Sequence, residues 1–237
     1  MTETGNRGGT ATASEIAKFD ALAADWWDPR GPMAPLHAMN PARMAWVARQ
    51  LGPLEGMHVL DVGCGAGLAS EWLARRGARV TGLDAAGAAL DAARAHAAAS
   101  GVAVDYREGR PEDMCGQTFD AVIALEVIEH VPPEERGNFC AALARLVRPG
   151  GAVVLSTLNR TPRAWITAKL AAEYLLRWLP VGTHDWRLFP RPAETAALLR
   201  GAGLFVEDMA GLSPRPEGSF AITRDIGVNY MVAARRV

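Results

Sequence analysis

The chain of 237 residues has few cysteines, no excess of charge of either sign and no long apolar run. Its three cysteines form no C-x-x-C pair, which argues against a disulfide framework or a structural zinc site and fits a reducing cytoplasm. The formal net charge of −1 gives no electrostatic footprint for nucleic acid, so no nucleic-acid partner is expected. No stretch reaches the ~18 consecutive apolar residues of a spanning helix. The composition predicts a soluble or peripheral globular protein.

The N-terminal stretch "MTETGNRGGTATASE" also lacks the apolar core that a secretory signal needs. Residues 1–13 are therefore predicted to form a disordered leader, and residues 14–237 a single domain. The first part of this domain, residues 14–55, is predicted to be a helical cap that begins at Ser14 as N-cap. It is interrupted by "DPRGPMAPLHAMNP", because four prolines and a glycine in fourteen positions cannot continue a helix.

Apolar strands alternate with helices over residues 56–157. The predicted strands are "HVLDVG", "RVTGLD", "VDYREG", "FDAVIALE" and "AVVLST". Strands separated by helices of roughly ten to fifteen residues predict βαβ units and a parallel sheet with helices on both faces. In such a sheet, ligands bind beyond the carboxyl ends of the strands, where the strand order reverses. The residues that follow "HVL", "TGL" and "VIAL" are therefore the candidates for a site.

A glycine turn, "DVGCGAG", joins the first strand of this core to its helix. Gly63, Gly65 and Gly67 allow the backbone to bend sharply and allow a ligand to approach it near helix N–H groups. Leu68 breaks the dinucleotide spacing G-x-G-x-x-G, and no Lys-Ser or Lys-Thr follows, so a pyrophosphate ligand is disfavoured. Taken alone, the glycines could equally form a purely structural turn.

Asp84 ends the next strand, "RVTGLD". A parallel sheet brings its carboxylate beside the glycine turn, where it can accept hydrogen bonds from both hydroxyls of a ribose. The alternative is an N-cap for the following helix. A nucleoside-type ligand without a pyrophosphate points to S-adenosylmethionine as the cofactor.

The motifs "VLDVGCGAG", the strand-end aspartate and "LVRPGG" before "AVVLST" resemble those of the class I methyltransferases. The resemblance implies a Rossmann-like α/β fold: a mostly parallel seven-stranded sheet with helices on both faces, and an S-adenosylmethionine-binding core over residues 56–157. By the same resemblance, the cofactor contacts are Asp61 at the methionine end, Gly63 and Gly65 along its length, Asp84 at the ribose, and Leu125.

The segments that flank this core resemble the ubiquinone-biosynthesis O-methyltransferase family, so the similarity covers nearly the whole chain. The matching stretches include "EIAKFDALAADWWDPRGPMAPLHAMNPARMAWV", "EVIEHV", "STLNRTPRAW", "GTHDW" and "VNYMV". The resemblance implies methylation of phenolic hydroxyls on polyprenylated rings at two steps, with 2-polyprenyl-6-hydroxyphenol and 3-demethylubiquinol as substrates. Arg43, in "NPARM", matches the family arginine at the cofactor, where it could bind a carboxylate with two parallel bonds. Without the resemblance it would be interpreted as a solvated helix charge.

Two other functions stay open at this stage. One is a methyltransferase that acts on another small phenolic metabolite, since the glycine turn and Asp84 do not separate the acceptors. The other is a non-catalytic subunit with the S-adenosylmethionine fold that binds prenylated intermediates in a multi-enzyme assembly.

Three chemically active side chains follow the fourth strand in the stretch "EVIEH". In a turn or helix, Glu126, Glu129 and His130 would share one face at i, i+3 and i+4. Two carboxylates and an imidazole suit a divalent ion such as Mg²⁺, which would hold a catechol oxygen and lower its pKa, and the family resemblance implies the same requirement. Alternatively, His130 acts as the general base with Glu126 nearby, or only closes the turn. His184, in "GTHDW", is a second acid–base candidate.

Residues 160–186 are predicted to be an insertion before the C-terminal part of the sheet, residues 187–237. The stretch "PRAWITAKLAAEYLLRWLP" carries charges every four residues, with tryptophans and leucines broadly opposite. This pattern fits an interfacial helix or a lid packed on the active site. Because the resemblance implies a lipid-soluble substrate, we expect residues 162–180 to contact an anionic membrane surface. The protein would then be cytoplasmic and peripherally associated with the inner membrane, with other ubiquinone-biosynthesis enzymes as further partners.

Overall fold

The computed structural model of the chain describes residues 25–167 and 188–237. The predicted leader, the first part of the predicted cap and most of the predicted insertion lie outside the described residues. The helices are α1 Ala34–Leu51, α2 Leu68–Ala74, α3 Gly87–Ser100, α4 Arg136–Leu146 and α5 Pro192–Gly201. Short 3-10 helices lie at Pro111–Asp113 and Ile128–His130, and residues 162–167 are also helical.

One sheet collects all the strands of the described residues. They are β1 His58–Val62, β2 Arg79–Asp84, β3 Asp105–Glu108, β4 Phe119–Leu125, β5 Val147–Leu158, β6 Leu204–Pro214, β7 Phe220–Thr223 and β8 Asn229–Arg236. Their order across the sheet is β3-β2-β1-β4-β5-β8-β6-β7. The first five pair in parallel, whereas β8 is antiparallel to both β5 and β6. The predicted α/β class with a mostly parallel sheet is confirmed.

The sheet has eight strands instead of the predicted seven. The additional strand is β7, which has four residues and pairs only with the last part of β6, Gly211–Pro214. Its pattern "FAIT" is too short to distinguish a strand from a loop by its periodicity.

The helix α1 begins earlier than expected and passes through Pro41. The prolines of "DPRGPMAPLHAMNP" predict a break up to this residue, but Pro35 occupies the first turn, where the missing N–H costs no helix bond. Further along, Met44, Trp46 and Val47 are buried against the sheet. Because packing of this face stabilises the helix more than local propensity does, one internal proline is tolerated.

Alternating residues of each central strand point to opposite faces of the sheet. On β1, Leu60 and Val62 belong to one apolar core with α4 and α5, and Val59 belongs to the other with α1 and α2. Burial on both faces explains why β1 and β4 are apolar almost throughout. Polar side chains at their carboxyl ends are therefore exceptions, and they mark the site.

Candidate active site

The candidate active site lies at the carboxyl ends of β1, β2 and β4. β1 pairs in parallel with both β2 and β4, and the chain continues outwards to β3 on one side and to β5 on the other. This is the point where the strand order reverses, at which parallel sheets open a crevice for ligands. The residues after "HVL", "TGL" and "VIAL" are brought together here, as the alternation of strands and helices predicts.

The glycine turn after β1 is required by its backbone and by its neighbours. Gly63, Gly65 and Gly67 all have positive φ, at 69°, 51° and 89°. A Cβ at Gly65 would come within 2.5 Å of Cζ2 of Trp26, and Cβ atoms at the other two glycines would collide with the side chains of Val127 and Tyr106. Protein side chains therefore fill the space that the missing Cβ atoms leave, an aspect that the sequence does not reveal.

Asp84 joins the glycine turn to the start of α3. Its Oδ2 accepts a hydrogen bond from the Gly65 N–H at 2.7 Å, and its Oδ1 accepts one from the Ala86 N–H at 2.9 Å. The residue that precedes α3 is Ala86, so the N-cap interpretation of Asp84 is wrong. A carboxylate oxygen accepts more than one hydrogen bond, so this carboxylate can serve the turn and a ribose together.

Asp61, near the end of β1, is 1% exposed. The Ser70 hydroxyl donates a hydrogen bond to its Oδ2 at 2.6 Å. Burial raises the pKa of Asp61 to about 7, against the lowering effect of the bond from Ser70 and of the positive charge on Arg43. Near neutral pH this carboxyl is therefore poised to ionise when a cation arrives.

Arg43 of α1 is 4% exposed, so it is not the solvated helix charge that its sequence alone would suggest. One nitrogen of its guanidinium donates to Asn40 Oδ1 at 2.9 Å, but within the described residues its Nε has no hydrogen-bond partner. Burial lowers its pKa, and the nearby carboxylates of Glu126 and Asp61 oppose that effect. A buried N–H without a partner is costly and suits an anionic ligand.

Leu125 ends β4, and the backbone turns sharply after it. Glu126 has φ of 59°, and among the described residues it is the one non-glycine with positive φ. Its N–H bonds to the Ser156 carbonyl at 3.0 Å, and its carboxylate accepts a bond from the Ser156 hydroxyl at 2.7 Å. A non-glycine residue held in this conformation stores local strain, a frequent property of functional sites.

Glu129 is buried in the 3-10 turn that also contains the half-exposed His130. Burial and, secondly, the negative charge of Glu126 raise its pKa to about 8, whereas His130 and a bond from Thr157 act in the opposite direction. Its Oε2 has no partner within the part of the chain that the structure describes. At neutral pH this carboxyl therefore holds its proton most of the time.

Glu126, Glu129 and His130 are predicted from the sequence to hold a metal ion together. Residues 25–167 and 188–237 contain no group of three His, Cys, Asp or Glu side chains that could hold a metal ion. The physical reason is the left-handed backbone at Glu126, which directs its carboxylate to Ser156 and interrupts the regular i, i+3, i+4 spacing. The predicted set of three metal ligands is not assembled. The other acid–base candidate, His184, lies outside the described residues.

Sequence reasoning missed the aromatic side chains around the glycine turn. Trp26 packs on Gly65, and the Trp27 indole N–H donates to the Ala66 carbonyl at 3.0 Å. One sequence feature could have indicated these contacts: two adjacent tryptophans stand beside a proline-rich stretch that has no apolar periodicity. No pattern pointed to Tyr106, which reaches the turn from β3.

Comparisons with known proteins agree with this geometry. A family model described as a methyltransferase domain matches residues 59–151. The chain is 45% identical to the ubiquinone biosynthesis O-methyltransferase of Azorhizobium caulinodans, over 95% of this chain and 94% of that protein. It is 50% identical to the protein of the same name from Alkalilimnicola ehrlichii, over 92% of this chain and 89% of that protein.

Solved structures show the same fold. Magnesium protoporphyrin IX methyltransferase from Synechocystis PCC 6803, with bound SAH, has a TM-score of 0.61 at 20% sequence identity. The match covers 97% of this chain and 90% of that one. The class I methyltransferase fold that the sequence motifs imply is confirmed.

Proposed function

Because this chain belongs to the ubiquinone biosynthesis O-methyltransferase family, we propose that it transfers a methyl group from S-adenosylmethionine to phenolic hydroxyls of polyprenylated aromatic intermediates. The proposed acceptors are 2-polyprenyl-6-hydroxyphenol and 3-demethylubiquinol. One observation supports the cofactor most directly. The buried Arg43, with its unpartnered Nε among the described residues, lies within electrostatic reach of the buried Asp61 beside the glycine turn.

This pair suits the amino acid end of S-adenosylmethionine. Its carboxylate would satisfy the guanidinium of Arg43, and its ammonium would ionise Asp61. Asp84, already fixed by two backbone N–H groups, would accept the ribose hydroxyls. The remaining predicted cofactor contacts are Gly63, Gly65 and Leu125.

When bound, S-adenosylmethionine supplies a methyl group that is already activated by its sulfonium. The residues of this chain must then hold the phenol in line and accept its proton. At neutral pH Glu129 is mostly protonated, and the carboxylate of Glu126 is engaged by Ser156. We therefore assign proton acceptance to a ring nitrogen of His130, at the edge of the same turn.

Methyl transfer to a short-tailed 3-demethylubiquinol analogue tests this function. We expect turnover with the prenylated phenol and little with a catechol that has no tail. Faster methylation of the tail-free catechol would favour the alternative hypothesis, a methyltransferase that acts on another small phenol. Binding of S-adenosylhomocysteine without turnover on any phenol would favour the non-catalytic subunit.

The divalent cation that the family resemblance implies stays a prediction, and the proton transfer to His130 does not depend on it. The unpartnered buried Oε2 of Glu129, beside the carboxylate of Glu126, favours a cation. The described residues, however, contain no group of three His, Cys, Asp or Glu side chains that could hold a metal ion, which argues against a cation. Turnover measured with and without a chelator tests the cation. If the chelator abolishes turnover and added Mg²⁺ restores it, the cation is supported. Full turnover in the presence of the chelator contradicts it.

We also propose that the protein contacts the inner membrane peripherally through residues 162–180. In the described part of the chain, no helix is long and apolar enough to cross a membrane. Trp165 and Ile166 are 42% and 51% exposed on the helical segment after β5, and Leu188 is exposed where the described chain resumes. Exposed tryptophan and aliphatic side chains suit the interface between lipid and water.

A vesicle assay with a matched control tests this contact. Trp165→Ser should weaken binding to anionic vesicles, whereas Phe205→Ser, which removes an even more exposed aromatic side chain on β6, should leave binding unchanged. Equal binding by all three proteins would contradict the contact.

A further inference from the structure

Two adjacent tryptophans, Trp26 and Trp27, lie across the glycine turn just before α1. We infer that this pair, called here the tryptophan strap, positions the turn for S-adenosylmethionine and slows release of the cofactor. The inference rests on the cofactor of the proposed function and not on its methyl acceptor.

Trp26 is the inner half of the strap. It is 7% exposed, and its ring lies so close to Gly65 that a Cβ at this glycine would come within 2.5 Å of Cζ2. With Met33 and Ala66 it forms a small apolar cluster that is separate from the two large cores. Burial of an indole against Gly65 and Ala66 of the turn is a large apolar contact, which restricts movement of the turn.

Trp27 is tied to the turn and to two helices. Its indole N–H donates to the Ala66 carbonyl at 3.0 Å, and its ring stacks on His96 of α3, with centroids 3.4 Å apart and planes at 4°. The Nδ1 of His96 donates in turn to Glu71 of α2 at 2.7 Å. Glu71 is buried and also pairs with Arg75. Trp27 is thus linked to α3 directly and to α2 through His96.

His37 holds the strap from α1. Its Nε2 donates to the Trp26 carbonyl at 2.9 Å, and its ring meets Trp27 edge to face. Between the strap and α1 the chain turns at Asp28, which accepts bonds from the backbone N–H groups of Arg30 and Gly31. Side chains from α1 and α3 therefore contact two residues that have no regular secondary structure.

The position of the strap connects it to cofactor binding. Gly65 lies between Trp26 on one side and Asp84 on the other, because its N–H donates to the Asp84 carboxylate. The proposed ribose ligand is thus oriented by a backbone group that the strap holds in place. Loosening of the strap should reduce affinity for the cofactor without removing any proposed catalytic group.

The test measures binding of S-adenosylhomocysteine by calorimetry and its release by tryptophan fluorescence. Trp27→Phe keeps an aromatic ring but loses the indole N–H that donates to the Ala66 carbonyl. We expect this variant to bind S-adenosylhomocysteine about fivefold more weakly. Trp26→Leu removes most of the contact with Gly65, and we expect at least about tenfold weaker binding and faster release. With S-adenosylmethionine the KM should rise, while kcat at saturation stays near that of the wild type.

The matched control is Trp72→Phe on α2, whose ring lies under the guanidinium of Arg76 at 3.3 Å and packs against the large core that contains Leu73. It should bind as the wild type does. If both strap variants bound S-adenosylhomocysteine within about twofold of the wild type, even with lower melting temperatures, the strap would be only structural and the inference wrong. Since no phenol is present, failure of the proposed acceptor would not affect this result.

A double-mutant cycle tests the anchor at His96. Residues in contact give non-additive effects, so His96→Ala should weaken binding in the wild type but add little in a Trp27→Ala background. Additive losses would contradict anchoring through the stacked pair.

Discussion

The two sides of the candidate site differ in how their polar groups are connected. At the ends of β1 and β2, Asp84 and Asp61 accept bonds from groups within twenty residues, at Gly65, Ala86 and Ser70. After β4, Glu126 depends on Ser156, thirty residues away, and Glu129 keeps one buried oxygen without a partner among the described residues. Local connections hold the two aspartates of the cofactor side before any ligand binds, whereas the two glutamates of the acceptor side depend on a distant strand or keep an oxygen without a partner among the described residues.

The largest expected effect tests the cofactor side. Asp84→Ala removes two charge-assisted bonds to backbone N–H groups as well as the proposed ribose contact. Such bonds contribute about 1.5–3 kcal/mol each, so S-adenosylhomocysteine should bind at least about 100-fold more weakly in calorimetry. Asp91→Ala is the control, because Asp91 pairs with Arg94 on the surface of α3. Unchanged binding by the Asp84 variant would remove the distinction between the two sides.

The next effect should appear on the acceptor side alone. His130→Asn removes the proposed proton acceptor, and we expect kcat to fall about 100-fold while binding of S-adenosylhomocysteine stays unchanged. His58→Asn is the control, since His58 lies at the amino end of β1, opposite to the end that carries the site, and contacts Arg79. A loss of S-adenosylhomocysteine binding in the His130 variant would mean that the two sides are not independent.

The same comparison explains what the sequence could predict. The glycine turn, Asp61 and Asp84 lie in short motifs whose partners are close along the chain, so their position at the sheet edge follows from the strand and helix pattern. The predicted metal group at "EVIEH" assumed a regular turn, and the left-handed backbone at Glu126 is imposed by a distant strand. Trp26 and Tyr106 reach the turn through tertiary contacts that leave no periodic signal.

A smaller effect concerns the pH dependence of cofactor binding. Burial raises the pKa of Asp61 to about 7, and the carboxylate form is the one that suits an ammonium group. The ionised fraction should rise from about one tenth at pH 6 to about nine tenths at pH 8, so affinity for S-adenosylhomocysteine should increase about ninefold over this range. Calorimetry in buffers of different ionisation enthalpy should show proton release on binding at pH 7.

Asp61→Asn provides the control for this pH dependence. Without a titrating carboxyl, the variant should bind weakly at every pH and release no proton. A flat affinity profile in the wild type between pH 6 and 8 would contradict the assignment of the ammonium to Asp61.

The smallest effect concerns the pH dependence of protein stability, which we expect Glu129 on the acceptor side to influence. Burial raises the pKa of Glu129 to about 8 in the folded protein, above the ordinary value in the unfolded chain. The folded state therefore binds an additional proton between these values, and the stability of the wild type falls as pH rises through this range. Glu129→Gln mimics the neutral form and removes this loss. At pH 9 its melting temperature should exceed that of the wild type, by about 2–4 °C for each kcal/mol gained, and the difference should shrink towards pH 5.

Glu134→Gln is the control, because Glu134 lies exposed beyond the same turn and should change the melting temperature little at either pH. Binding of S-adenosylhomocysteine by Glu129→Gln should also match the wild type, since Glu129 belongs to the acceptor side. A variant that gains stability at pH 9 and loses turnover would show that the buried carboxyl is retained for catalysis at a cost in stability. Equal melting temperatures at pH 9 would mean that the folded protein accommodates the charge of Glu129, and the contrast between the locally bonded aspartates of the cofactor side and the buried glutamate of the acceptor side would not hold.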